Sequence, residues 1–138
     1  MAKVLVIDDE QGIRHLLDTL LSRKGYDVVL ADNGRKGLEI FRRERPDVVV
    51  LDLKMPEMDG VAVLQQIRRL TPDQPVIILT GAATPEREQQ VRALGVTEFV
   101  EKEFSLHRLG DALKRLLKTP TPATRGSAVS EIPASRRP

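Results

Sequence analysis

Four short apolar runs, each delivering a charged or hydroxyl side chain at its end, constrain this chain more than any other feature. Val4-Leu5-Val6-Ile7 leads into Asp8 and Asp9, and Val48-Val49-Val50-Leu51 leads into Asp52. Val76-Ile77-Ile78-Leu79 leads into Thr80, and Phe99-Val100-Glu101 leads into Lys102. Continuous Val, Ile and Leu runs of this length suit strands buried on both faces of a parallel sheet. In open parallel sheets, ligands gather at the carboxyl ends of the strands. If the four runs are neighbours, they build an acidic pocket edged by one hydroxyl and one ammonium.

The segments between the runs carry helical periodicity. Ile13, Leu16, Leu17, Leu20 and Leu21 fall on one face, with Gly25 placed to end the helix. A second helix is predicted at about Arg35–Arg43, burying Leu38 and Phe41, and a third from near Gly60, with Val61, Leu64 and Ile67 on its apolar face. Thr84-Pro85 is a cap residue followed by proline at the first helical position, which opens a fourth helix ending near Gly95. Its apolar face is thin, mainly Val91 and Leu94, so it is expected to be mobile or to face a partner. A fifth helix begins after Ser105 and carries Leu106, Leu109, Leu113, Leu116 and Leu117. With strands expected at Lys3–Ile7, Val28–Ala31, Val48–Leu51, Val76–Thr80 and Glu98–Glu101, the chain reads as five βα units of the α/β class.

One domain over residues 1–118 is expected, followed by a proline-rich basic tail at 119–138 that reads as disordered or as a linker stub. Arg125, Arg136 and Arg137 against Glu131 supply the whole formal charge of +2, so residues 1–118 are neutral despite a pI of about 9.1. A basic folded face for nucleic acid is therefore not expected, and 3% aromatic content offers little for base stacking. The absence of cysteine excludes disulfides and thiolate metal sites. No apolar run approaches the roughly 20 residues needed to span a bilayer. A strand beginning at Lys3 leaves no room for a signal peptide, and a cytoplasmic location is expected.

Taken singly, each polar residue has an ordinary explanation. An aspartate at a strand end often caps the next helix, Thr80 suits a turn, and Lys102 suits a solvated surface. Their joint arrival at strand ends reverses that reading. Clustered carboxylates repel one another unless a cation offsets them. An oxygen-only ligand set suits Mg²⁺, with Mn²⁺ as an alternative. Because Mg²⁺ takes one or two carboxylates plus water and phosphate, one carboxylate is left to act as a nucleophile toward phosphorus. Lys102 and Thr80 then suit the phosphoryl oxygens.

The chain resembles the receiver domains of two-component response regulators. The matching pieces are Val-Ile-Asp8-Asp9-Glu10, Leu51-Asp52-Leu53-Lys54-Met55-Pro56-Glu57-Met58-Asp59-Gly60, Leu79-Thr80-Gly81 and Phe99-Val100-Glu101-Lys102. The resemblance covers about residues 3–118. It implies a flavodoxin-like (βα)5 fold, a doubly wound five-stranded parallel sheet in the order 2-1-3-4-5. It implies Asp52 as phosphoacceptor and Mg²⁺ held by Asp9 and Asp52, with Asp8 reaching the ion through water and the Lys54 backbone carbonyl helping. Thr80 and Lys102 would bind the phosphoryl group, and Phe99 occupies the family's aromatic switch position. Implied partners are a sensor histidine kinase or phosphotransfer protein, and a downstream protein on the face of the fourth helix, fifth strand and fifth helix. The molecule is expected to be a monomer or weak homodimer, to bind neither membrane nor nucleic acid directly, and to catalyse only its own phosphorylation and dephosphorylation.

One departure is plain: Glu103 follows Lys102 where the family usually has proline. A cis bond before a non-proline residue costs about 2.5–4 kcal/mol, so a trans bond is expected there. Lys54 admits two roles, guiding incoming phosphate or shielding an acyl phosphate from water. His15 and His107 lie in helical segments, away from the strand ends, and are read as packed or solvated. Three other functions compete: a phosphorylation-independent adaptor, the receiver fragment of a longer regulator whose output domain is missing, and a phosphatase of the haloacid-dehalogenase type. The last needs an acid two residues after its nucleophile, where this chain has Lys54.

Overall fold

The computed structural model describes residues 2–81, 84–95, 98–101 and 106–117. Lys102, Glu103 and the tail 119–138 lie outside the described residues, and so do the expectations attached to them. The described elements run β1 (Lys3–Ile7), α1 (Gln11–Arg23), β2 (Asp27–Ala31), α2 (Gly34–Glu44), β3 (Val48–Leu51), α3 (Gly60–Leu70), β4 (Val76–Thr80), α4 (Pro85–Ala93), β5 (Glu98–Glu101) and α5 (Leu106–Leu117). The five strands form one parallel sheet in the order β2-β1-β3-β4-β5. This is the doubly wound, flavodoxin-like arrangement.

Strand side chains alternate between the two faces, so each strand feeds two cores. Leu5, Ile7, Val49, Leu51, Val76 and Ile78 pack on one side against Leu38 and Phe41 of α2, Val63, Leu64 and Ile67 of α3, and Val91 of α4. Val4, Val6, Val48, Val50, Ile77, Leu79 and Val100 pack on the other, against Leu17 and Leu21 of α1 and Leu109, Ala112 and Leu113 of α5. The unbroken apolar runs follow from this double burial.

Local chemistry sets the helix ends. Asn33 accepts from Lys36 N–H at 2.9 Å to cap α2, and Asp59 accepts from Val61 N–H at 2.7 Å to cap α3. Thr84 accepts from Arg87 N–H at 3.2 Å to cap α4, with Pro85 in its first turn. Each such cap is worth about 1 kcal/mol. Gly25 and Gly95 adopt φ of 95° and 82° after α1 and α4, a backbone region that side chains disfavour. Among its described residues, α4 buries Val91 alone, so apolar packing holds it less than it holds its neighbours.

Candidate functional site

The register of the ladder builds the site. Ile7 pairs with Leu51 across β1 and β3, and the Asp52 N–H donates to the Ile7 carbonyl at 2.9 Å. The next residue on each strand, Asp8 and Asp52, therefore leaves the sheet edge side by side. Leu51 pairs with Ile78, which carries Thr80 to the same edge from β4. Thr80 pairs with Glu101, which ends β5 at the same edge.

Asp8 and Asp52 are only 1% and 3% exposed, and Thr80 is fully buried. Carboxylate oxygens of Asp8, Glu10 and Asp52 all lie within 4.8 Å of one another. Asp9, Glu10, Asp52, Lys54, Met55, Pro56, Thr80 and Gly81 line a cleft of about 650 Å³ over this cluster. Asp8 Oδ1 accepts the Glu10 N–H at 2.9 Å, which folds the β1–α1 loop back over the strand end. The Asp8 carbonyl accepts from Arg14 of α1 at 2.8 Å. On the opposite wall, Asp52 Oδ1 accepts the Lys54 N–H at 3.3 Å, fixing how the chain leaves β3.

Asp9, Asp52, Lys54 and Thr80 line the cleft, Asp8 joins Asp52 and Glu10 in the carboxylate cluster, and Asp9, expected as a direct ligand, stands outside that cluster. Phe99 sits two positions before the end of β5, partly buried against the α2–α3–α4 core, with the Arg92 guanidinium of α4 over its ring at 5.6 Å. Capping, the ordinary explanation for Asp9, does not hold: Glu10 is the cap residue of α1, and its side chain makes no cap hydrogen bond. Glu10 is the acidic group that sequence reasoning passed over. Its signal was present as the third of three consecutive acids, but sequence alone does not say which of the three turns inward.

The donor set fits a hard divalent cation. Three carboxylates converge, two of them buried, with no nitrogen or sulfur ligand in the cluster. Buried like charges this close favour a bound cation. The exposed mouth leaves room for water and a phosphoryl group.

Residues 4–114 match the family model described as the response regulator receiver domain. This chain belongs to that family. It is 36% identical over 115 residues to sporulation initiation phosphotransferase F of Bacillus subtilis, covering 83% of this chain and 93% of the relative. It is 42% identical over 116 residues to a probable transcriptional regulator, ycf27, of Porphyridium aerugineum, covering 84% of this chain but 48% of that protein. The chain therefore spans about half the length of some relatives and nearly all of others. Among solved structures, Vibrio cholerae chemotaxis protein CheY4 superposes with a TM-score of 0.79 at 34% identity, over 84% of this chain and 98% of that one. A receiver domain protein from Clostridium thermocellum superposes at 0.80 with 34% identity, over 85% and 94%. Receiver domains are signalling modules of two-component systems. Among the described residues, no helix is long and apolar enough to cross a membrane.

Proposed function

We propose that this receiver accepts a phosphoryl group on Asp52 from a phosphohistidine donor, a sensor histidine kinase or phosphotransfer protein, with Mg²⁺ as cofactor. The observation that carries the reading is the convergence of buried Asp52 with Asp8 and Glu10 beside Thr80, at the carboxyl edge of the sheet. An Asp52 carboxylate oxygen forms the new bond to phosphorus while the donor's P–N bond breaks and its electron pair returns to the imidazole. Asp8, Asp9 and Asp52, with the Lys54 carbonyl, would hold Mg²⁺, and Glu10 joins them as a fourth carboxylate at the cleft. When bound, the ion supplies positive charge to the phosphoryl oxygens and offsets the clustered carboxylates. The Thr80 hydroxyl donates to one phosphoryl oxygen, and Lys102 neutralises another. Lys54 sits at the cleft wall, where it meets the incoming phosphate.

Signalling then follows from a population shift. Thr80 turning toward the phosphoryl group frees space for Phe99, which biases the face of α4, β5 and α5 toward a downstream protein. A cytoplasmic location fits a donor of this kind. Incubation with Mg²⁺ and acetyl phosphate followed by intact-mass measurement tests the proposal. One added phosphoryl group on wild type and none on Asp52→Asn is the expected result. An equal adduct on both, or no adduct together with no Mg²⁺ binding, overturns it.

A further inference from the structure

Two arginines tie helix α4 and its C-terminal turn to the rest of the molecule. At its C-terminal end, Arg68 of α3 donates Nε to the Leu94 carbonyl at 2.6 Å, Nη2 to the Gly95 carbonyl at 2.7 Å and Nη1 to the Gln74 carbonyl at 2.7 Å. At its N-terminal end, Arg87 reaches back to the loop that follows Asp52. Its Nη2 lies 2.8 Å from each carboxylate oxygen of Asp59 and 3.2 Å from the carbonyl oxygen of Leu53. Leu53 is the residue immediately after Asp52, and its carbonyl also accepts the Gly60 N–H at 2.8 Å.

Given the phosphoacceptor reading of Asp52, on which this step rests, we infer that Arg87 is a positioning residue. It holds the Asp52–Asp59 loop in its metal- and phosphoryl-binding shape and makes α4 respond to that loop directly. The loop has reason to need holding. Glu57 sits in it at φ 69°, a left-handed conformation that a glutamate adopts only when its surroundings impose it. Lys54, whose N–H orients Asp52, lies between the two acceptors of Arg87, Leu53 and Asp59. Asp59 serves α3 and α4 at once, accepting from both Val61 N–H and Arg87. A shift of the loop on phosphorylation is therefore passed to the first turn of α4, while Arg68 keeps the far end fixed as a pivot. This connection runs beside the Thr80–Phe99 route and does not pass through it. Coupling of this kind needs a contiguous network biased by both ends, and the loop, Arg87 and α4 form one.

Two variants separate positioning from mere support. Arg87→Met and Arg68→Met both loosen α4, at opposite ends, but only Arg87 touches the Asp52 loop. Mn²⁺ binding, followed by electron paramagnetic resonance, and amide hydrogen exchange of α4 are measured on the full chain for both. Arg87→Met is expected to weaken Mn²⁺ severalfold, because the loop that carries Asp52 and Lys54 loosens, and to speed exchange in the first turn of α4. Arg68→Met is expected to speed exchange at the C-terminal turn and leave Mn²⁺ affinity unchanged. Arg87→Lys, keeping the charge opposite Asp59, is expected to recover part of the affinity. Unchanged Mn²⁺ affinity in Arg87→Met, or an equal loss in both variants, overturns the inference. Failure of wild type to take phosphate while Arg87→Met still loses Mn²⁺ would sink the phosphoacceptor reading and leave the positioning role standing.

Discussion

Gly60 folds so closely against Asp52 that a Cβ at position 60 would overlap the Asp52 carbonyl oxygen and lie 2.5 Å from the Leu53 Cα. Both obstacles are backbone just past β3, every residue of which is buried, so neither yields. The start of α3 is thereby drawn against the backbone of Asp52, and the Gly60 N–H is brought to the Leu53 carbonyl at 2.8 Å. Gly60→Ala is expected to lower stability by about 1–3 kcal/mol, the usual range for overpacking. Urea unfolding measures that loss. Acetyl phosphate labelling of the still-folded variant is expected to slow as well, because relief of the overlap moves Asp52. A variant as stable and as readily labelled as wild type would contradict the close approach.

Glu10 supplies a second expectation. Its carboxylate lies within 4.8 Å of those of Asp8 and Asp52, so it belongs to the field that a cation meets on entry. Glu10→Gln is expected to weaken Mn²⁺ binding severalfold and Asp8→Asn by more, since Asp8 is buried and Glu10 exposed. The same series read by thermal unfolding gives an independent check. Saturating Mg²⁺ raises the midpoint in wild type by mass action, and this increment shrinks in step with affinity. A Glu10→Gln protein with wild-type affinity would return Glu10 to a solvated role.

The strands were legible because burial on both faces writes an unbroken apolar run, and the cleft because the runs of β1, β3 and β4 end at Asp8, Asp52 and Thr80. Boundaries moved where pairing rather than pattern decides them. β2 begins at Asp27, one residue before its apolar stretch, because Asp27 pairs with Lys3. α2 begins at Gly34, a residue that helix patterns discount, because Asn33 caps it there. What holds α4 was not legible. Arg68 meets Leu94 and Gly95 across 26 and 27 positions, and Arg87 meets Asp59 across 28, and such pairs leave no periodicity to read. Which of Asp8, Asp9 and Glu10 converges with Asp52 was equally hidden, since a loop and not a repeat sets their directions.

Tyr26 offers a spectroscopic check on packing, because the chain has one tyrosine and no tryptophan. It packs beside the core formed by α1, α5 and one face of the sheet, and burial pushes its phenol above the usual 10.0. The unfolded chain then releases the proton first. Stability is expected to fall as pH rises past about 10.0 and to stop falling once the folded phenol has ionised. Phenolate absorbance during alkaline titration should show a midpoint above 10.0 in the folded protein and near 10.0 in denaturant. Coincident midpoints would mean that the ring is solvated.

At the other pH extreme, Glu44 and Lys3 join the end of α2 to the start of β1. Lys3 Nζ donates to Glu44 Oε1 at 2.7 Å, and this bond, helped by Arg43, holds the Glu44 carboxyl below its usual 4.5. The same bond raises the Lys3 ammonium above 10.5. A depressed carboxyl contributes stability above the unfolded value of 4.5 and loses it as pH falls through the folded value. The raised ammonium contributes below 10.5 and loses its share as pH climbs through the folded value. Between those limits the pair is intact, and its exposure to solvent and salt keeps the contribution small. Glu44→Gln is therefore expected to lower stability slightly at neutral pH and to match wild type once pH lies below the folded Glu44 value. Denaturant midpoints at several pH values, repeated in high salt, measure both. A gap between the two proteins that persists into strong acid would assign the effect of Glu44 to packing and not to its charge.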